Sequence, residues 1–96
     1  MILKRALSAI IPGHAEDFVQ AFANARQLIE RAKGGRKAQM HRGVENPDSF
    51  LLLVEWETLE DHMIGFRESH DFKEWRALLG PHFAAPPAME HYTEAL

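Results

Sequence analysis

The segment FLLLVEWETLEDHMIGFRESHDFKEWRALLGPHF, from Phe50 to Phe83, contains the change of pattern that decides the fold. It opens with five consecutive apolar residues, Phe50 to Val54, and changes to helical spacing after Trp56-Glu57. An apolar run of this kind is typical of a strand that is covered on both faces. In an antiparallel sheet of a small protein, the chain's own helices cover only one face. The sequence therefore predicts that a second chain or a bound molecule covers the other face, and it favours a dimer built around the sheet.

The residues before this segment predict a strand followed by a helix. Residues 2–11 are rich in Ile, Leu and Ala and end at the turn signal Pro12-Gly13. Between residues 14 and 33, apolar side chains recur at steps of three and four, which predicts an amphipathic helix. Gly34-Gly35 marks the end of that helix.

A hairpin is expected between this helix and the apolar run. Residues 36–44 alternate weakly and predict a second strand. The turn signal Asn46-Pro47-Asp48-Ser49 separates it from a third strand, residues 50–57. Either His41 or Arg42 faces the helices, depending on register, because a shift of one residue moves every side chain to the opposite face.

Two helical pieces are expected after the third strand. Thr58, with Asp61 three residues later, resembles a capping box for the first piece, and Ser69 is expected to cap the second. Pro81 should end the second piece near Leu79 or Gly80. The side chains expected to face inward are Leu59, His62, Met63 and Phe66, then Phe72, Trp75, Leu78, Leu79 and His82.

The order of elements predicts the fold class. Pro86-Pro87 leads into a final strand, residues 88–95, which completes the order β-α-β-β-α-β. This is the ferredoxin-like split βαβ pattern, an α+β fold with an antiparallel sheet and helices on one face. Because the chain contains no linker, internal repeat or low-complexity segment, we expect one domain spanning residues 1–96.

Composition excludes several classes of function. The net charge is −3 and the 11 Lys and Arg residues are scattered, so we expect no nucleic-acid partner. The chain has no cysteine, which excludes disulfides and thiol nucleophiles and is consistent with a cytoplasmic location. No apolar stretch approaches the roughly 20 residues of a membrane helix, so we expect no membrane partner.

The six histidines do not have the spacing of a metal site. No two of them lie four residues apart on a predicted helix, and four lie on different elements: His62, His70, His82 and His91. We therefore expect no bound metal.

His62 has two interpretations. It lies among apolar residues on a face that points at the sheet, where a histidine can be a core residue bonded to a backbone carbonyl. Alternatively it is a general acid or base in an apolar pocket that tunes its pKa. On that second interpretation its partner is His41 or Arg42 on the second strand, or Arg76 on the last helix.

The large aromatic residues have the same two interpretations. Trp56 shares a strand face with Phe50, Leu52 and Val54, so it is either the largest core residue or a pocket wall with its indole N–H free for a substrate. The same choice applies to Phe72 and Trp75. His91 and Tyr92 point to opposite faces of the last strand, so only one of them can reach a given pocket.

Together these residues resemble the antibiotic biosynthesis monooxygenase family, which belongs to the dimeric α+β barrels. The resemblance covers nearly the whole chain. It rests on a strand ending in Trp56-Glu57, a helix containing Glu60-Asp61-His62, a Phe72-x-x-Trp75-Arg76 helix and the final His91-Tyr92.

The resemblance implies an enzyme that oxidises electron-rich aromatics with O₂ and without metal or flavin. It implies a homodimer that packs sheet against sheet, with a pocket in each subunit between sheet and helices. His62 would move the proton, and Arg76 or His41 would steady the anion. The substrate would contact Trp56, Leu52, Phe66, Phe72, Trp75 and His91, although Leu52 stands where some relatives have a polar residue. Two alternatives are a non-catalytic dimer that binds a hydrophobic metabolite and an isomerase that acts through an enol.

Overall fold

Four strands and two α-helices alternate along the chain in the computed structural model, which describes residues 1–96. The strand order in the sheet is β2-β3-β1-β4, and every neighbouring pair is antiparallel. The ferredoxin-like α+β prediction is confirmed. The elements in chain order are β1 Ile2–Ala9, α1 Ala15–Glu30, β2 Gly35–Arg42, β3 Ser49–Trp56, a π-helix Asp61–Phe66, α2 His70–Leu79, a 3₁₀ turn Gly80–His82 and β4 Ala88–Tyr92.

Strand register decides which side chains meet beneath the helices. On β1, Lys4 lies opposite Val54 of β3 on one side and opposite His91 of β4 on the other. Cross-strand partners point to the same face of a sheet. Since Val54 is fully buried in the core, Lys4 and His91 also lie on the helix-covered face.

The core lies between this face and α1. The apolar stripe of α1 is buried as its spacing predicts, and Phe18 packs edge-to-face on Phe50 with ring centroids 5.0 Å apart. The helix ends at Glu30, three residues before the expected end, and Gly34 has the positive φ of 78° that the turn into β2 requires. The final strand also ends early, at Tyr92.

The first helical piece after β3 is a π-helix, and this changes which of its residues face inward. The wider turn places His62 and Phe66 in the core, while Leu59 and Met63 are exposed. The expectation that Leu59 and Met63 face the sheet is therefore wrong. Leu78 of α2, also expected inside, is exposed too.

Both predicted N-caps are present. The Thr58 hydroxyl accepts a hydrogen bond from the backbone N–H of Asp61 at 3.1 Å. The Ser69 hydroxyl accepts one from the N–H of Phe72 at 3.3 Å and so begins α2.

No helix covers the second face of the sheet. Beside the ion pair of Arg5 with Glu90, this face carries five apolar side chains from three strands: Leu3 and Leu7 of β1, Leu51 and Leu53 of β3, and Tyr92 of β4. We call these five residues the open face.

None of the helices combines the length and apolar character that a membrane span needs.

Candidate active-site cavity

A cavity of about 370 Å³ lies between the helix-covered face of the sheet and the segment that follows β3. Its walls are mainly apolar. They include Leu52 and Met40 from the sheet, Phe72, Trp75 and Leu79 from α2, and Phe83, Pro86 and Pro87 from the chain before β4. A cavity of this size and lining suits a small flat organic molecule.

His62 lies in the wall of this cavity and is bonded to a second histidine. Its Nδ1 lies 2.8 Å from Nε2 of His91, and its side chain is only 1% exposed. The hydrogen bond occupies Nδ1, so Nε2 of His62 is the ring nitrogen without a protein partner. His91 is only half-buried. The pair therefore connects the cavity with the protein surface.

The surroundings of this pair keep both rings neutral. Burial, with smaller contributions from Lys4, His91 and Arg67, lowers the pKa of His62 to about 3. Burial, Lys4 and Arg67 also lower the pKa of His91. At neutral pH one ring nitrogen of the pair donates a proton to the other.

Lys4 is a cavity residue that the sequence analysis did not assign to the site. It lines the cavity and is 6% exposed. Burial, followed by repulsion from Arg67, lowers the pKa of its ammonium from 10.5 to about 8. Strand alternation in the sequence could have identified Lys4 as an inward-facing residue. It places Lys4 on the same face as Ala6, Ser8 and Ile10, all of which are buried.

Three cations line the cavity, and no carboxylate does. Besides Lys4, these are Arg67 and Arg76, both exposed residues whose guanidinium groups lie over the Phe72 ring, 5.8 and 5.9 Å from its centroid. The cavity is therefore apolar in its walls and positive in its charge. This combination favours an anionic or electron-rich ligand.

Five of the expected site residues line the cavity, and His91 lies behind one of them. Those five are Leu52, His62, Phe72, Trp75 and Arg76. His91 adjoins the cavity through its bond to His62 rather than by lining the wall.

Trp56 and Phe66 lie in the core and do not line the cavity. Trp56 is 0% exposed and stacks on His62 with centroids 5.1 Å apart, so His62 separates it from a ligand. Its indole N–H is buried without a hydrogen-bond partner. Phe66 packs between Trp56 and Trp75, with centroid distances of 5.5 and 6.4 Å. Both residues support the cavity from behind.

His41 does not reach the cavity either. It lies opposite Leu51, a residue of the open face, whereas Arg42 lies opposite Phe50 and faces the helices. Arg42 is held at the surface by Glu16 at 2.8 Å and by the carbonyl of Pro47 at 2.7 Å. Neither residue is therefore a partner of His62.

Comparison with known proteins gives a consistent result. The family model for antibiotic biosynthesis monooxygenase matches residues 1–78. The uncharacterized protein YczJ of Bacillus subtilis (strain 168) is 38% identical over 94 residues, which cover 98% of this chain and 99% of YczJ.

Solved structures share the fold. A proposed antibiotic biosynthesis monooxygenase from Bordetella bronchiseptica is 42% identical, with a TM-score of 0.95 over 99% of this chain and 97% of that chain. SnoaB, described as a cofactor-independent oxygenase from Streptomyces nogalater and solved as a mutant, has a TM-score of 0.85. It is 13% identical, covering 99% of this chain and 93% of its own, so the likeness concerns the fold alone.

Proposed function

The chain belongs to the antibiotic biosynthesis monooxygenase family, and from this premise we propose that it is a cofactor-independent monooxygenase. Its substrate is a small electron-rich aromatic molecule, a phenol, a quinol or a polyketide-like compound, and its oxidant is O₂. One observation carries the proposal: an apolar, positively charged cavity contains a neutral histidine that is hydrogen-bonded to a second histidine nearer the surface.

The cavity walls suit a flat aromatic ring. Phe72 and Trp75 on one side and Leu52 on the other provide apolar surfaces for ring faces and edges. Arg76 lies at the rim, where its charge steadies an anion that develops on the substrate. The half-enclosed site also limits water around a reactive intermediate.

The histidine pair supplies a route for the substrate proton. A hydroxyl of the substrate gives its proton to Nε2 of His62, while Nδ1 of His62 passes its own proton to Nε2 of His91. His62 stays neutral and only changes tautomer. This matters because an imidazolium at position 62 is disfavoured by burial and by Lys4, as its low pKa records. His91 then returns the proton to solvent.

The oxidation balances without an external reductant. The deprotonated ring gives electrons to O₂, and one oxygen atom enters the ring while the other leaves as water. Conversion of a phenol to a quinone in this way consumes one O₂ and forms one new carbon–oxygen bond. The phenol carbon and the newly oxidised carbon both become carbonyls, and the hydrogens of one ring C–H and of the phenol O–H leave in the water. The chain's own residues bind the ring, remove the proton and exclude water.

Oxygen uptake tests the proposal directly. The metal-stripped protein is mixed with a panel of hydroquinones, anthrones and related phenols, and each trace is corrected for autoxidation. We expect saturable uptake, and a loss of about 100-fold or more in His62→Gln because general acid–base groups contribute on that scale. His70→Gln is the matched control, since His70 is exposed and does not line the cavity.

Flat traces across the panel would contradict the oxygenase proposal. A protein that binds the same aromatics without consuming oxygen would instead be a binding protein for a hydrophobic metabolite. Conversion of an enolisable ketone without oxygen would indicate an isomerase.

We also propose that the protein is a homodimer through the open face. Leu7 and Tyr92 are more than two-fifths exposed in the single chain, and Leu51 and Leu53 extend the apolar surface beyond β1 onto β3. An exposed group of apolar side chains of this kind, interrupted by the Arg5–Glu90 ion pair, marks an association surface. Pairing of two open faces would cover the second side of β3.

A further inference from the structure

We propose that Lys4 makes the cavity a site for monoanionic aromatic ligands, in which a phenolate or carboxylate oxygen lies against the Lys4 ammonium. The inference builds on the proposed function, because it states the charge of the substrate that the oxygenase binds. It also stands by itself, since a cavity that binds such anions without oxidising them satisfies it.

The fold keeps the Lys4 ammonium out of bulk solvent. Lys4 lies on β1, which has β3 on one side and β4 on the other, and its side chain points under the helices. Most lysines keep their methylene stem on the protein and place their ammonium in water. Here only 6% of the residue is exposed, and the space that its side chain meets is the cavity.

No anion of the protein neutralises this ammonium. The ion pairs of the structure join other residues: Arg5 with Glu90, Arg31 with Asp71, Arg36 with Glu57, Arg42 with Glu16 and His70 with Glu74. The charged group that acts most on Lys4 is Arg67, and its positive charge repels the ammonium. A buried charge without a partner is destabilising, so an anion that enters the cavity gains a strong interaction.

The surroundings limit the ligand to one negative charge and an aromatic body. A single buried cation neutralises one anionic oxygen, and the apolar walls disfavour a second ionised group. Arg67 and Arg76 lie at the exposed side of the cavity, where they attract the anion during entry. For a phenol, the Lys4 charge stabilises the ionised form, so the bound phenol has a lower pKa than the free one.

The first test uses 4-nitrophenol, whose anion absorbs visible light, and the neutral 4-nitroanisole. We expect the protein to bind 4-nitrophenolate and to lower the pKa of the bound phenol. Lys4→Met should weaken 4-nitrophenolate binding by about tenfold or more relative to 4-nitroanisole binding, because only the anion loses a charge partner. Lys73→Met removes the same charge from an exposed position of α2 and should match the wild type.

A second test needs no variant. The affinity for 1-naphthoate, which stays ionised throughout, should be constant near pH 7 and fall above about pH 8 as Lys4 loses its proton. The charged or titratable groups that face Lys4 are His62, Arg67 and His91, and the two histidines do not change charge in this range because they are already neutral.

Three results would overturn the proposal. These are equal affinity for 4-nitroanisole and 4-nitrophenolate, full anion affinity in a folded Lys4→Met variant, and a pH-independent affinity for 1-naphthoate. Anion binding with flat oxygen traces would support the Lys4 site and reject the oxygenase. Oxygen uptake without a preference for anionic ligands would support the oxygenase and reject the Lys4 site.

Discussion

At the scale of single residues, the cavity contains a charge that folding disfavours. Lys4 is buried and has no counter-ion, and its pKa is lowered to about 8. Buried charges of this kind often lie where a protein binds or reacts with a ligand. A ligand of opposite charge restores the interaction that the buried group lost when it left water. The stability of the protein and the charge of its cavity are therefore linked through one side chain.

This linkage predicts that Lys4→Met stabilises the protein at neutral pH. The folded-state pKa is below the ordinary value of 10.5, so the folded protein binds fewer protons than the unfolded chain between about pH 8 and 10.5. Wild-type stability therefore rises with pH across that window. At pH 7 we expect Lys4→Met to raise the free energy of unfolding by about 1–3 kcal/mol, since one pKa unit corresponds to about 1.4 kcal/mol.

Urea unfolding at several pH values measures this effect. The gain from Lys4→Met should shrink as the pH rises toward 10.5, whereas Lys73→Met should have little effect at any pH. A Lys4→Met protein that is less stable than the wild type at pH 7 would show that the methylene packing of Lys4 outweighs the burial of its charge.

At the scale of elements, the segment between β3 and α2 shapes the cavity. The π-helix turns His62 and Phe66 inward, and Ser69 joins its end to α2. The Ser69 hydroxyl donates to the carbonyl of Phe66 at 2.6 Å and accepts from the N–H of Phe72 at 3.3 Å. One small side chain therefore links the end of the π-helix to the start of α2, and so joins the two walls of the site.

Removal of this cap should weaken the wall. We expect Ser69→Ala to lower the free energy of unfolding by about 1 kcal/mol, because a Phe72 N–H loses its acceptor. Ser69→Asp should recover most of the loss, since a carboxylate also caps a helix N-terminus. Thermal unfolding of both variants measures this effect, and Ser49→Ala is the control for the loss of a hydroxyl elsewhere. An equal decrease in the free energy of unfolding in all three variants would contradict the capping role.

At the scale of the whole molecule, the sheet divides the protein into two unlike sides. One face carries α1, α2 and the cavity, and the open face carries Leu3, Leu7 and Tyr92 with no cover of its own. The cavity and the proposed dimer surface use opposite faces of the same strands. Substitutions on the open face should therefore leave ligand binding in the cavity unchanged.

A charge on the open face should separate the dimer. Leu7 and Val19 are each 43% exposed, but Leu7 lies on the open face beside Leu51 and Val19 lies on the outer side of α1. Leu7→Glu should shift the protein from dimer to monomer in sedimentation velocity, because burying an unpaired carboxylate at the interface is strongly unfavourable. Val19→Glu should leave the dimer unchanged. A wild-type monomer, or a dimer retained in Leu7→Glu, would show that the open face is not the interface.

The order of elements, both N-caps and five of the cavity residues can be predicted from the amino-acid sequence alone. These features depend on the spacing of residues within short segments of the chain. The helical spacing of Phe72 and Trp75, the position of Leu52 on β3 and the apolar neighbours of His62 depend only on residues nearby in the chain. The π-helix was not predicted, because its hydrogen bonds differ from those of an α-helix without a distinct sequence period.

The polar groups that meet in the cavity are brought together by contacts between distant parts of the chain. The hairpin register turned His41 to the open face, and the depth of packing placed Trp56 behind His62. The pairing of β1 with β4 brought Lys4 opposite His91, and the π-helix set His62 beside both. These contacts join segments far apart in the chain. Their geometry depends on strand register and packing across the whole core, which no local pattern records.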